Sequence, residues 1–260
     1  MQKINERNKS FKVYTLVAAA LLTAVSVALA PLNMYIPLFG VSSLRFSFTD
    51  IPVFLCGALF GPMFGGISGF LSDILGFIIA PAGPYFPGFT INKILVGFIP
   101  GIIFYLFRNR QVSSRLIKRV NMILAIVALL GSIFYINVVA IEDVKSLGTI
   151  IGMPANITLT ILVIAIVGAL MLVVKKITTV LEPREGFYKL QTILLVVTIN
   201  YLLVNLICTP IWVHQLYNVP VFASVIVRVF KSIIDVPLQV IICYSILQAI
   251  PMKVRQKILC

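Results

Sequence analysis

Arg228, Lys231 and Asp235 follow one another at spacings of three and four residues, which puts all three on one face of a helix. Two cations and a carboxylate so arranged can pair with each other, or they can hold an anion against the helix. Asp73, Lys93 and Asn205 also lie inside apolar runs, and Asp50 opens a short one. Aromatic side chains stand close by in sequence, with Tyr85, Phe86 and Phe89 just before Lys93, and Trp212 beside His214 and Tyr217. Such a mixture suits a flat ring carrying carboxylates, taken by cations at its edge and by aromatic groups on its faces. The competing reading is structural: Asp73 or Asp235 neutralises Lys93, Arg228 or Lys231 and ties helices together.

Several chemistries are missing. The chain has no GxxxxGK[ST] loop, so it is not itself a P-loop ATPase. It has no HExxH and a single histidine, His214, which argues against a metal site or a histidine acid/base pair. Aspartyl chemistry in the membrane would need two facing carboxylates; Asp73 and Asp235 could meet, but their basic neighbours favour ion pairing. No repeated basic row is present for voltage sensing. Cys56, Cys208 and Cys243 lie in apolar runs and Cys260 ends a basic tail, with no CxxC pair, so they read as free thiols. We therefore expect no catalytic residue, no cofactor and no metal.

The elements that position these residues follow from composition. Of 260 residues, 60% are hydrophobic and 11% charged, against roughly 45–50% and about 25% in soluble domains. The formal charge of +13 would ordinarily point to nucleic acid, but that requires a water-facing surface the chain lacks. The expected fold class is all-α, a polytopic membrane helix bundle. Apolar runs at about 13–30, 62–80, 89–107, 120–140, 149–174, 190–208 and 222–250, with a shorter one at 49–60, give eight helices. Gly61-Pro62 separates the short one from the next. The first run ends in Ala28-Leu29-Ala30, which resembles a signal-peptide site, but Pro31 makes a poor cleavage position and the run is read as a retained span.

Sixteen of the 21 basic residues fall at the amino terminus, at 108–119, at 175–189 and in the tail, while the opposing loops hold only Arg45 and Lys145. The positive-inside rule then places both termini in the cytoplasm of a multi-pass protein of the cell membrane. On that topology Arg228 and Lys231 lie about 9 to 14 Å below the outer surface, Asp73 about 10 Å and Lys93 about 6 Å. All belong to the outer half, as an outward-facing pocket for a small anion requires.

Small residues form two rows. Ala20, Ala24 and Ala28 line one face of the first helix, and Gly57, Gly61, Gly65 and Gly69 run across the second and third. Close backbone approach through such faces is a main route to helix association in lipid. The alanine row serves either packing within the chain or docking of another membrane subunit; the glycine row is read as internal packing.

Several motifs occur together: LRFSF with Arg45, FGPxxG at Phe60 to Gly65, SDILG at Ser72 to Gly76, YFPGFT at Tyr85 to Thr90, and RVFK at Arg228 to Lys231. Jointly they resemble the substrate-binding S-components of energy-coupling factor (ECF) vitamin transporters, and most closely the folate family. Ala20, Ala24 and Ala28 resemble the AxxxA face with which S-components dock. The resemblance implies a six-helix subunit that takes a vitamin, folate by its motifs, from outside, joins a transmembrane scaffold subunit and two ATPase subunits, and topples to release it. It implies Arg45, Asp73, Tyr85, Phe86, Phe89, Lys93, Asn205, Trp212, Arg228 and Lys231 as substrate-binding residues. Two departures stand out: an inserted helix pair and a charged residue at Lys93. The chain thus divides into core helices at 1–119, the inserted pair at 120–175, and the last two core helices with the tail at 190–260. TDIP at Thr49 to Pro52 resembles riboflavin-type S-components, so another vitamin stays open, as does a self-contained secondary transporter, although no internal repeat is evident.

Overall fold

The computed structural model describes residues 2–38, 41–81, 83–108, 113–139, 148–150, 153–181 and 189–250. Among the described residues the eight apolar runs become eight helical rods. They are α1 (Gln2–Ala28), α2 (Asp50–Phe60), α3 (Pro62–Ile79), α4 (Pro87–Arg108), α5 (Ser114–Phe134), α6 (Ala155–Leu181), then α7 (Leu190–Asn200) running through a π-helical segment (Tyr201–Cys208) into α8 (Thr209–Tyr217), and finally α9 (Val221–Ala249). Among the described residues, six stretches are long and apolar enough to cross a membrane: Val13–Leu32, Pro62–Ile79, Pro87–Phe107, Arg115–Val138, Ala155–Val180 and Leu190–Tyr217. The expected helix bundle holds. α9 is not among the six, although its 29 residues would reach across at about 1.5 Å each.

Helix ends differ from the hydropathy reading. α5 starts at Ser114 and α6 runs to Leu181, so Arg115, Lys118, Arg119, Lys175 and Lys176 lie on helices rather than in loops. Apolar runs mark the hydrocarbon, whereas the hydrogen-bond ladder continues into the interface, where long basic side chains reach water. His214 and Trp212, which lie beyond the apolar run at 190–208, sit on α8, because the hydrogen-bond ladder continues past that run. Two small ladders were also not foreseen. β1 (Met34–Leu38) pairs antiparallel with β2 (Val41–Phe46), and β3 (Thr149–Ile150) with β4 (Met153–Pro154). Short β-branched and aromatic stretches between spans satisfy their backbone groups by pairing.

The chain divides into two units, one comprising 1–111 with 242–260 and the other 112–241. In the first, α2 is short and buried, with Val53, Phe54 and Cys56 fully enclosed. Gly61 adopts φ +93°, a backbone that L side chains rarely take, and Pro62 then opens α3. The glycine row packs internally, as read. A methyl group added to Gly57 or Gly65 would fall on the Gly97 carbonyl, one on Gly69 on the Lys93 carbonyl, and one on Gly97 on Gly65. Hydroxyls join α1 to its neighbours. Thr23 donates to Ser68 at 2.8 Å, Ser26 and Ser72 share a hydrogen bond at 2.7 Å, and Ser26 donates to the Thr49 carbonyl at 2.8 Å.

In the second unit Ile136, Ala155, Val163, Ile166 and Val229 form an apolar core. Asn121 reaches the Gln191 carbonyl at 3.2 Å, and Asn137 donates to Thr160 at 2.9 Å.

Backbone contact across the glycines leaves no room for relaxation. Gly97→Ala should destabilise the purified protein by about 1–3 kcal/mol, seen as a lower thermal unfolding temperature in detergent. Gly131→Ala and Gly168→Ala, whose surroundings are open, should leave it unchanged.

Candidate functional site

Two sets of polar side chains occupy the two units, and each has its own local logic. In the first unit the amino end of α2, the carboxyl end of α3 and the amino end of α4 carry the ionisable groups. Lys93, only 5% exposed, sends its Nζ to Asp50 Oδ1 and to Thr49 Oγ1. Ser47 shares a hydrogen bond with the same threonine at 2.9 Å. An ammonium held in apolar surroundings needs a counter-charge and filled donor sites, and this arrangement provides both.

Asp73 is not the partner of Lys93. Its Oδ2 accepts the Thr90 hydroxyl at 2.7 Å, and Thr90 Oγ1 lies 2.8 Å from the Tyr85 hydroxyl. Since Thr90 gives its proton to the carboxylate, the Tyr85 phenol donates to Thr90, forming a chain directed at Asp73. The Tyr85 ring meets Phe77 edge to face with centroids 5.4 Å apart, and Phe77 stands one helical turn beyond Asp73. Phe86 and Phe89 make a similar pair at 5.8 Å. Asp73, Tyr85, Phe86, Phe89 and Lys93 therefore all sit at one end of the same helix group. Arg45 lies in β2 opposite Tyr35; its side chain falls outside the described residues.

In the second unit the basic residues line α9. Arg228 is buried, at 4% exposure, and donates to the Ser224 carbonyl at 2.9 Å and to the Ser224 hydroxyl. Tyr201 donates to the Arg228 carbonyl at 2.7 Å. Lys231 pairs with Asp235 at 2.6 Å across one turn, so the structural reading of these charges holds for that pair. Asn205 is half-buried in the π-helical segment and Trp212 half-buried on α8.

Sequence reasoning missed Thr49, Thr90, Ser224 and Tyr201, and noted Asp50 without giving it a role. Only Asp50 left a usable signal, as a carboxylate at the mouth of an apolar run. Hydroxyls inside helices satisfy themselves locally and leave no mark on hydropathy.

α1 presents two faces. Thr15, Ala19, Thr23 and Ser26 are buried, whereas Ala20, Ala24 and Ala28 are exposed. The alanine row is thus turned away from the packing of its own unit. Three free cysteines, Cys56, Cys208 and Cys243, are present among the described residues; Cys260 lies outside them. No cluster of metal-ligating side chains occurs among the described residues.

A family model described as "ECF-type riboflavin transporter, S component" matches residues 10–178. Among curated proteins, the "Folate transporter FolT" of Clostridium novyi (strain NT) is 38% identical over 105 residues, which is 40% of this chain and 59% of that protein. The chain thus spans about three-fifths of that relative's length. The "Crystal structure of FolT bound with folic acid" superposes with a TM-score of 0.52 at 21% identity, covering 91% of this chain and 93% of the other. That likeness shows the fold.

The Lys93 site gives a direct test. Lys93→Met alone should lower the unfolding temperature, because it leaves Asp50 without its counter-charge in the membrane. The Lys93→Met/Asp50→Leu double variant should recover most of the loss, since removing both members of a buried pair costs far less than removing one.

Proposed function

Because this chain belongs to the ECF-type riboflavin transporter S-component family, we propose that it is the substrate-binding subunit of an ECF vitamin transporter and that its vitamin is folate. The observation that carries the choice of vitamin is the 38% identity to the Clostridium FolT. The site chemistry agrees with it. Within the second unit, Arg228 and Lys231, buried on one face of α9, suit carboxylates such as those of folate, with Asn205 and Trp212 as further candidate contacts. Within the first unit, the aromatic side chains at Tyr85, Phe86 and Phe89 suit a flat ring, with Arg45, Asp73 and Lys93 as further candidate contacts. The subunit performs no bond chemistry; it captures the vitamin on the outer side, with both termini in the cytoplasm.

Energy comes from partners, a transmembrane scaffold subunit and two ATPase subunits. The exposed row Ala20, Ala24 and Ala28 supports α1 as the docking helix, because small side chains let a second helix approach closely. α5 and α6 are read as a pair inserted between α4 and α7. The relative of which 105 residues are 59% is about 178 residues long, some 80 fewer than the 260 here. The stretch from 112 to 189 is of about that length.

The decisive measurement is titration of the purified protein with folic acid and, separately, with riboflavin. Folic acid should bind and riboflavin should not; the reverse result would move the chain to the riboflavin branch of the family. Arg228→Ala and Lys231→Ala should each weaken folic acid binding by at least about 10-fold. The Lys231→Ala/Asp235→Ala double variant separates the two roles of the lysine. If Lys231 meets the ligand, binding stays weak; if it serves only Asp235, binding returns.

Replacing Ala20, Ala24 and Ala28 with Leu should abolish co-purification with the scaffold and ATPase subunits while leaving the folic acid affinity unchanged. Intact assembly would assign the row to lipid contact.

A further inference from the structure

Asp73 is the one intramembrane carboxylate that the described structure leaves outside any ion pair. Asp50 serves Lys93 and Asp235 serves Lys231, whereas Asp73 receives only the Thr90 hydroxyl, on Oδ2. It is half-buried and lies in the second half of α3 with the aromatic ring of Phe77 one turn away and Tyr85 against that ring. The Thr90 hydroxyl donates to it and is itself backed by the Tyr85 hydroxyl, and a hydroxyl chain of this kind helps to orient the carboxylate. A carboxylate oxygen has two lone-pair sites, so Oδ2 keeps one acceptor site and Oδ1 keeps both. The group is thus an oriented, two-oxygen acceptor beside an aromatic wall.

Resting on the folate reading above, we infer that Asp73 is a specificity-determining residue that accepts the paired donors of the pterin head, with Thr90 as its positioning residue. The 2-amino-4-oxopteridine of folic acid presents N3–H and an amino N–H side by side, two donors pointing in one direction. A carboxylate matches them with two parallel hydrogen bonds, the geometry by which it also takes a guanidinium. The corresponding edge of a flavin places N3–H between two carbonyls. Against that edge the second carboxylate oxygen would face a lone pair, so the same residue that favours the pterin disfavours the flavin. A carboxylate in a site for an anionic vitamin is then no contradiction: it takes the neutral, donor-rich head, while cations take the acidic tail.

The test uses the full-length protein and three ligands: folic acid, 2-desamino-2-methylfolic acid, in which a methyl replaces the 2-amino group, and riboflavin. Wild type should bind the methyl analogue about 10- to 100-fold more weakly than folic acid. Asp73→Asn, which keeps the shape of the side chain, should lose a similar factor for folic acid and should no longer distinguish it from the analogue. The same variant offers one acceptor and one donor, so the ratio of folic acid to riboflavin affinity should fall. Thr90→Val should lose part of the discrimination and Thr90→Ser should restore it. Undiminished discrimination in Asp73→Asn, or equal binding of folic acid and the analogue by wild type, overturns the assignment, and the second result needs no variant to fold. A wild type that binds neither would instead sink the folate reading itself, and this assignment with it.

Discussion

Backbone contact between α3 and α4 is the constraint from which the first unit follows. Lipid supplies no hydrophobic drive between helices, so their association depends on how closely they can approach. Gly65 against Gly97, and Gly69 against the Lys93 carbonyl, remove the side chains that would keep the two helices apart. Their closeness brings the carboxyl end of α3 to the amino end of α4. Only then can Thr90 on one helix reach Asp73 on the other at 2.7 Å. A polar site in the membrane is in this sense a product of glycine placement.

The buried charges show how a cation is kept ready inside hydrocarbon. An isolated one costs roughly 2.5–3.5 kcal/mol at a helix centre on insertion scales. Here Lys93 has Asp50 and Thr49, Lys231 has Asp235, and Arg228 has the carbonyl and hydroxyl of Ser224. Structural pairing and the proposed ligand binding are therefore compatible for these residues. Under that proposal a carboxylate ligand at Lys231 would compete with Asp235 one turn away, and the gain in affinity would be the difference between the two contacts. Arg228 donates to both oxygens of Ser224 on its own helix, and under the proposed function an incoming carboxylate would add a charge-assisted contact to these.

Much of the architecture was legible because hydrocarbon imposes one strong rule, that about 20 apolar residues are needed for each crossing. The eight helices, the break at Gly61-Pro62 and the internal role of the glycine row could all be read from residue type and spacing. The family resemblance rested on short motifs whose residues, Asp73, Tyr85 and Thr90 among them, prove to be in contact. Pairing was not legible. Nothing in the sequence said that Lys93 would take Asp50, from the start of a different helix, when Asp73 lay at a similar depth. Hydroxyls were invisible for a different reason: Thr49, Thr90 and Ser224 scarcely alter hydropathy, yet each meets an ionisable group. The hairpin of β1 and β2 escaped because extramembrane strands need only a handful of residues and no long apolar run.

The π-helical stretch at Tyr201–Cys208 separates α7 from α8 without ending the rod. Each π turn closes its hydrogen bond over five residues rather than four, so it accommodates an extra residue and shifts the angular phase of everything beyond it. Trp212 and His214 consequently do not point where a regular helix projected from Leu190 would send them. A relative lacking this widened turn would display the same faces with a shorter sequence here. The two could be correctly matched only by a gap inside a membrane span, where gaps are usually forbidden.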